Sequence, residues 1–97
     1  MNEKQFSYFL ENNWEVQSND KQAFKTFEFK DFKRAFSWMT SLAFEAESQN
    51  HHPEWQNIYN KVQIRLHTHD QKAVTELDIE LAKSISALYE KLISAKI

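Results

Sequence analysis

No glycine occurs anywhere in the 97 residues of this chain. Average usage is about 7%. Glycine enters the left-handed region of backbone space without steric cost, so tight turns and helix ends commonly draw on it. Here every position that needs positive φ must be filled by Asn, Asp or another tolerant residue. Asn19-Asp20 and Asn60-Lys61 are the expected places.

Within that constraint the chain has material for one core. Apolar residues make up 41% of it, with eight Phe, three Trp and three Tyr. A chain of this length folds as one domain over 1–97 without staples, around large aromatics. The net charge of -2 comes from interspersed acids and bases, with no basic stripe. Direct binding to nucleic acid by phosphate neutralisation is therefore not expected. Cysteine is absent, which excludes disulfides and thiolate chemistry. The N-terminal stretch lacks an apolar signal core and no apolar run reaches membrane-spanning length, so the expectation is a cytoplasmic protein without a membrane.

No repeat, linker or low-complexity tract interrupts the chain. Residues 3–12 read as a helix with Phe6, Phe9 and Leu10 on one side, ended by Asn12-Asn13. A short strand follows at 14–17, then a polar turn at 18–21. Residues 23–30 read as a longer strand, with Phe27 and Phe29 alternating against Glu28 and Lys30. Phe24 has the wrong parity, which suggests a bulge or a ragged start. Asp31 is a suitable N-cap for a helix over 31–49, where Phe32, Ala35, Phe36, Met39, Ala43 and Ala46 recur at helical spacing. Pro53 stops that helix from running on. Residues 54–59 and 62–68 read as two strands around an Asn60-Lys61 turn, with Val62, Ile64 and Leu66 facing one way. The last helix spans 76–94, opened by Thr75-x-x-Asp78, a capping-box-like pair. Its stripe is Leu77, Leu81, Ile85, Leu88 and Leu92. The order α-β-β-α-β-β-α, with antiparallel hairpins, predicts an α+β two-layer sandwich: a four-stranded antiparallel sheet with three helices on one face.

All four histidines fall within nineteen residues: His51 and His52 before Pro53, then His67 and His69. Histidine titrates near neutral pH, so such clustering points to proton transfer. His-His and His-x-His are also metal-ligand arrangements, since alternate strand residues share a face. Against a metal site stand the lack of cysteine and of an i, i+4 histidine pair on a helix. Surface histidines without chemistry are a third reading. Asp78 has a purely structural reading as a cap, and Glu47 as a solvated helix residue. Trp55 and Tyr59 read as core aromatics, or as a stacking wall for a flat heterocycle.

The spaced residues Glu47-x3-His51-His52-Pro53-x5-Tyr59-x9-His69-x8-Asp78 resemble the pterin-4a-carbinolamine dehydratases, also called 4a-hydroxytetrahydrobiopterin dehydratases. Phe27-Glu-Phe-Lys-Asp-Phe-Lys-Arg-Ala-Phe36, Tyr59-Asn-Lys-Val62 and Thr68-His69 carry the likeness further, from about Trp14 to Leu92. The resemblance implies a hydro-lyase that converts 4a-hydroxytetrahydropterin to quinonoid dihydropterin and water, in tetrahydrobiopterin recycling. No metal, redox cofactor or covalent intermediate is needed. It implies His51 and His69 as acid–base residues, with His52 binding and orienting the pterin and sharing in proton transfer. Asn50, Thr68 and Asp70 would line the pocket beside them. Glu47, Pro53, Trp55 and Asp78 would support it. The family also implies a homodimer or homotetramer, dimers joining their sheets. Two positions depart from the family pattern: Asn50 stands where Asp is common, and Gln71-Lys-Ala-Val74 lacks a glycine that many relatives carry. His67 falls outside the motif.

Two other functions compete. A non-enzymatic dimerisation or assembly partner of the same fold would use a sheet edge or a helix face. The intact His-His-Pro and Thr-His elements speak against it, because a scaffold does not need them. A metal-dependent hydrolase is the more distant alternative.

Overall fold

The computed structural model describes residues 1–17, 21–68 and 73–94. Seven elements follow in the expected order: α1 (Glu3–Glu11), β1 (Glu15–Val16), β2 (Ala23–Glu28), α2 (Phe32–Gln49), β3 (Glu54–Ile58), β4 (Lys61–Leu66) and α3 (Glu76–Ile93). The four strands form one antiparallel sheet in the order β1-β2-β4-β3. Strands β2 and β4 pair in the middle, so β3 is an edge.

One face of the sheet is covered. Ala23 and Phe27 of β2 and Val62, Ile64 and Leu66 of β4 point the same way into a single cluster. Phe9 of α1, Trp38 and Leu42 of α2, and Leu81 and Ile85 of α3 complete it from the helical side. Aromatic rings run through it by edge contacts of Phe9 with Trp14, Trp14 with Phe27 and Phe27 with Tyr89, and by a tilted contact of Phe27 with Trp38. The result is the two-layer α+β arrangement that the hairpins predict.

Other residues take the positions that glycine would commonly hold. Positive φ occurs at Asn13 (65°), Asn50 (51°) and Tyr59 (53°). The first two end helices by the same device. After α1, Trp14 N–H donates to Phe9 O at 2.8 Å and Asn13 N–H to Leu10 O at 3.3 Å. After α2, His51 N–H donates to Ala46 O and Asn50 N–H to Glu47 O, both at 3.1 Å. These are Schellman motifs with asparagine in the left-handed position that glycine normally holds. In the first, the customary apolar contact is made by the Phe9 and Trp14 rings, 5.6 Å apart. Asn19-Asp20, and Ser18 of the expected turn, lie outside the described residues. The hairpin turn lies one residue earlier than expected. Ile58 pairs with Lys61, so Tyr59-Asn60 is the loop, and Tyr59 rather than Asn60 takes positive φ.

Several faces differ from the sequence expectation. The α2 core face is Ala35, Trp38, Leu42 and Ala46, while Phe32 and Phe36 are 47% and 56% exposed. The helix carries two adjoining apolar stripes that share Ala35 and Ala46. Periodicity finds both, and packing against the sheet selects one. In α1, Phe6 and Leu10 are exposed and Phe9 alone is buried. In α3, Leu77 is exposed, and Ile79 and Ala82 are buried beside Leu81 and Ile85. No bulge disturbs β2, whose register with β4 is continuous from Ala23 to Glu28. Phe24 faces the open side, where the Arg65 guanidinium lies 5.4 Å from its ring centre. Tyr59 is exposed at the hairpin tip and is not a core aromatic, whereas Trp55 packs partly buried against the core.

Candidate functional site

The end of α2 builds the site. Its Schellman turn at Asn50 sends the chain sharply back, which makes His51 the first residue past the corner. His51 is therefore buried while its neighbour His52 stays exposed. Pro53 then fixes an extended entry into β3. Residues 50–54, together with Thr68 and Leu77, line a cleft of about 520 Å³. It is larger than the groove between Trp38 and Leu92 (about 360 Å³) and that between Tyr8 and Lys83 (about 310 Å³).

Behind the cleft wall lies Asp78, fully buried at 0% exposure. Burying a carboxylate is costly unless its oxygens are satisfied. Three groups satisfy this one. Its Oδ1 is 2.6 Å from His51 Nε2. Its Oδ2 accepts from the Thr75 backbone N–H at 2.9 Å and from the Thr68 hydroxyl at 3.0 Å. The Thr68 and Thr75 hydroxyls are 2.6 Å apart. Since Thr68 gives its proton to Asp78, Thr75 donates to Thr68. The Thr75 oxygen also accepts from Leu77 N–H at 3.3 Å, as the N-cap of α3. Asp78 is thus both the capping residue that the Thr-x-x-Asp spacing predicts and the partner of a histidine. One oxygen serves each task.

A carboxylate accepts and does not donate. His51 accordingly carries a proton on Nε2, and Nδ1 is its basic nitrogen. This is the geometry that fixes tautomer and ring orientation in histidine–carboxylate pairs.

The other described histidines are paired too. His52 Nε2 is 2.7 Å from Glu47 Oε1, one turn back on α2, with both side chains largely exposed. Glu47 therefore holds a histidine and is not simply a solvated helix residue. His67 Nε2 is 2.8 Å from Glu54 Oε1. Of the residues expected in the site, Asn50, His51, His52, Pro53 and Thr68 line one cleft, with Asp78 and Glu47 behind two of them. Trp55 does not line it. His69 and Asp70 lie outside the described residues, as do Gln71 and Lys72. Among the described residues no three of His, Cys, Asp and Glu converge to hold a metal ion.

Three participants escaped sequence reasoning: Glu54 and Leu77 on the lining, and His67 beside Glu54. A signal for the last pair exists in the register. Glu54 pairs with Arg65, so His67, two residues on, is its diagonal neighbour on the same face.

Asn50 has a conformational task that composition alone could have suggested. In a chain without glycine, an asparagine after a long helix is the available left-handed residue.

Comparison with known proteins agrees with this arrangement. The family described as "Pterin 4 alpha carbinolamine dehydratase" matches residues 1–88. A protein from Rhizobium meliloti (strain 1021), named "Putative pterin-4-alpha-carbinolamine dehydratase", is 48% identical over 77 residues, covering 79% of this chain and 74% of that protein. One of the same name from Jannaschia sp. (strain CCS1) is 45% identical over 86 residues, covering 88% and 87%. Among solved structures, a transcriptional coactivator/pterin dehydratase from Brucella melitensis superposes with a TM-score of 0.83 at 37% identity, covering 92% of this chain and 97% of that one. A pterin dehydratase-like protein described as a RuBisCO assembly factor in the alpha-carboxysome shares the fold, with a TM-score of 0.68 at 23% identity over 78% and 88% of the two chains. With the matched region spanning nearly the whole sequence, the chain belongs to the pterin-4-alpha-carbinolamine dehydratase family.

Proposed function

We propose that this protein dehydrates 4a-hydroxytetrahydropterin to quinonoid dihydropterin in tetrahydrobiopterin recycling. The observation that carries the reading is His51, held by the buried, triply bonded Asp78 on the wall of a cleft that His52 also lines.

The reaction is a proton-balanced elimination. The 4a-oxygen receives a proton, the C4a–O bond breaks, and water leaves. The proton on N5 is removed, and its electron pair forms the C4a=N5 double bond. Two groups that titrate near neutral pH divide these transfers, each contributing roughly 10²–10⁴-fold. His51, with Nε2 committed to Asp78, offers Nδ1 for one transfer. His69, carried by the family motif, supplies the other. His52, fixed by Glu47, binds and orients the ring and shares in the transfers. Asn50, Thr68 and Asp70 flank the bound pterin, and Pro53 and Trp55 support the corner. No metal or redox cofactor takes part in this scheme, and the reaction is placed in the cytoplasm. Among the described residues no helix is long and apolar enough to cross a membrane.

The test follows the decay of 4a-hydroxytetrahydropterin absorbance. Wild-type protein accelerates it, chelator-treated protein does so equally, and His51→Ala or His69→Ala slows it. Wild type no faster than buffer would sink the proposal.

A second role, as a partner for its own copies or for another protein, is favoured by one observation. The unused stripe of α2 leaves Phe32 and Phe36 in solvent with their rings 5.8 Å apart, and Phe44 is 74% exposed. Exposed aromatics grouped on one element commonly mark association surfaces. Symmetric dimers or tetramers are the expected form. Light scattering distinguishes them, and a strictly monomeric protein at all concentrations would count against self-association.

A further inference from the structure

Thr68 lines the cleft two residues past β4, yet its hydroxyl serves the wall behind. Its backbone is fixed first. Thr68 N–H donates to Ala73 O at 2.8 Å, and the two residues form an isolated antiparallel bridge. The hydroxyl of this buried residue then gives its proton to Asp78 Oδ2 at 3.0 Å and accepts from the Thr75 hydroxyl at 2.6 Å. A threonine hydroxyl carries a single proton. With that proton on Asp78, Thr68 has none to donate to a bound pterin.

The bonds run in one direction. Leu77 N–H donates to Thr75 Oγ1 at 3.3 Å, Thr75 to Thr68, and Thr68 to Asp78. On the far side, His51 Nε2 lies 2.6 Å from Asp78 Oδ1. A carboxylate accepts only, so it sets the sense of the whole chain. Linked hydrogen bonds polarise and strengthen one another in a low-dielectric interior. Asp78 also sits in the first turn of α3, where the helix end favours the ionised form. Its Oδ2 takes donors from both sides of the site, the Thr75 backbone N–H at the start of α3 and the Thr68 hydroxyl past β4. Two donors on one oxygen fix the plane of the carboxylate, and that plane aims Oδ1 at His51.

We infer that Thr68 is a positioning residue for the elimination and not a hydrogen-bond donor to the substrate. Its hydroxyl, oriented by Thr75, holds Asp78 in the arrangement that keeps His51 protonated on Nε2 and basic on Nδ1. The inference rests on the dehydratase reading above and deepens it. It moves the task of Thr68 from the surroundings of the pterin to the support behind His51. It also gives the N-cap of α3 a second use, since the same Thr75 hydroxyl caps the helix and orients Thr68.

The experiment pairs steady-state kinetics with proton spectra of the full chain labelled with 15N-histidine, at a pH where the His51 ring is neutral. In wild type the Nε2 proton of His51 gives the far-downfield resonance of a short bond to a carboxylate. Thr68→Val, which keeps the shape and loses the hydroxyl, moves that resonance upfield or broadens it by exchange with water. It lowers kcat about tenfold to a hundredfold, the loss expected when a charged group loses a hydrogen bond. KM, and the Kd for 7,8-dihydropterin, change by less than about twofold, since the lost interaction acts on the transition state. Thr68→Ser returns both the resonance and kcat. A Thr68→Val protein whose KM and Kd rise while the resonance stays in place overturns the inference, because Thr68 is then a ligand of the pterin. One that melts at lower urea with kcat and the resonance unmoved overturns it as well, because the role is then structural. Should Thr68→Val not fold, Thr68→Ala is read in the same way. A wild-type spectrum with the His51 proton on Nδ1 overturns the inference without any variant. Wild type that dehydrates while Thr68→Val keeps full kcat refutes this inference alone. Wild type no faster than buffer refutes the proposed function with it.

Discussion

At the scale of single residues the site is a set of histidines sorted by their partners. His51 meets a buried carboxylate, His52 an exposed one, and His67 one at the cleft rim. These environments predict different consequences. Replacing His51 by Ala should lower kcat/KM about 10²–10⁴-fold with substrate still bound, as removal of a general acid or base does. Asp78→Asn should also lower it, because the amide no longer enforces the His51 tautomer. It should in addition cost roughly 1–3 kcal/mol of stability, since buried groups lose their partner. Parallel turnover and urea-denaturation measurements separate the two effects. Full activity in Asp78→Asn would show that His51 does not depend on it. The sequence made Asp78 legible as a cap from Thr-x-x-Asp, and as a site residue only through the family motif. The three-way satisfaction of its oxygens depends on Thr68, ten residues away, and on His51, twenty-seven away. No local pattern encodes contacts of that range.

At the scale of elements the glycine-free composition has its clearest effect. Two helices end on left-handed asparagines, and the second of these corners delivers His51 to the cleft. Asn50→Ala should destabilise the protein by about 1 kcal/mol, because a Cβ without a local hydrogen-bonding group is disfavoured there. Asn50→Gly should be neutral or stabilising by thermal melting. If Asn50 matters mainly as a pocket residue, the glycine variant will melt normally and yet lose activity.

The start of α2 makes stability depend on pH. The backbone N–H of Arg34 bonds the Asp31 carboxylate, and the Arg34 guanidinium adds attraction, so its pKa lies below the ordinary value of 3.8. A depressed carboxyl pKa contributes stability above the unfolded value and loses it as pH falls through the folded one. Wild type should therefore exceed Asp31→Asn in stability at neutral pH, with the gap closing below about pH 4. A gap independent of pH would assign the effect to capping geometry alone.

At the scale of the whole molecule a single aromatic and aliphatic cluster joins both layers, and Leu42 of α2 lies fully buried within it. Leu42→Ala should cost about 2–5 kcal/mol, the range for a core leucine whose cavity collapses only in part. The same truncation at Phe36, on the outer stripe of α2, should cost far less in a monomer. Denaturation of both variants in parallel tests which stripe faces the sheet. Equal costs would indicate that the outer stripe is also covered, and a concentration-dependent cost for Phe36→Ala would identify the cover as another copy.

The chain by itself determined the element order, the antiparallel hairpins, the inward alternation of β4 and the caps at Asp31 and Thr75. Each of these is written in spacing of two, three or four residues, where backbone geometry acts directly. It also determined that a residue other than glycine must take every positive-φ position, though not which: among the described residues these are two asparagines at helix ends and Tyr59 in the hairpin. The tertiary structure decided which of two apolar stripes on α2 is core, and which residue of the Tyr59-Asn60 loop takes positive φ. It also decided which carboxylate each described histidine meets. Those outcomes depend on what packs opposite, and a helix with two apolar faces or a histidine beside several acids leaves that open until the sheet and α3 come together.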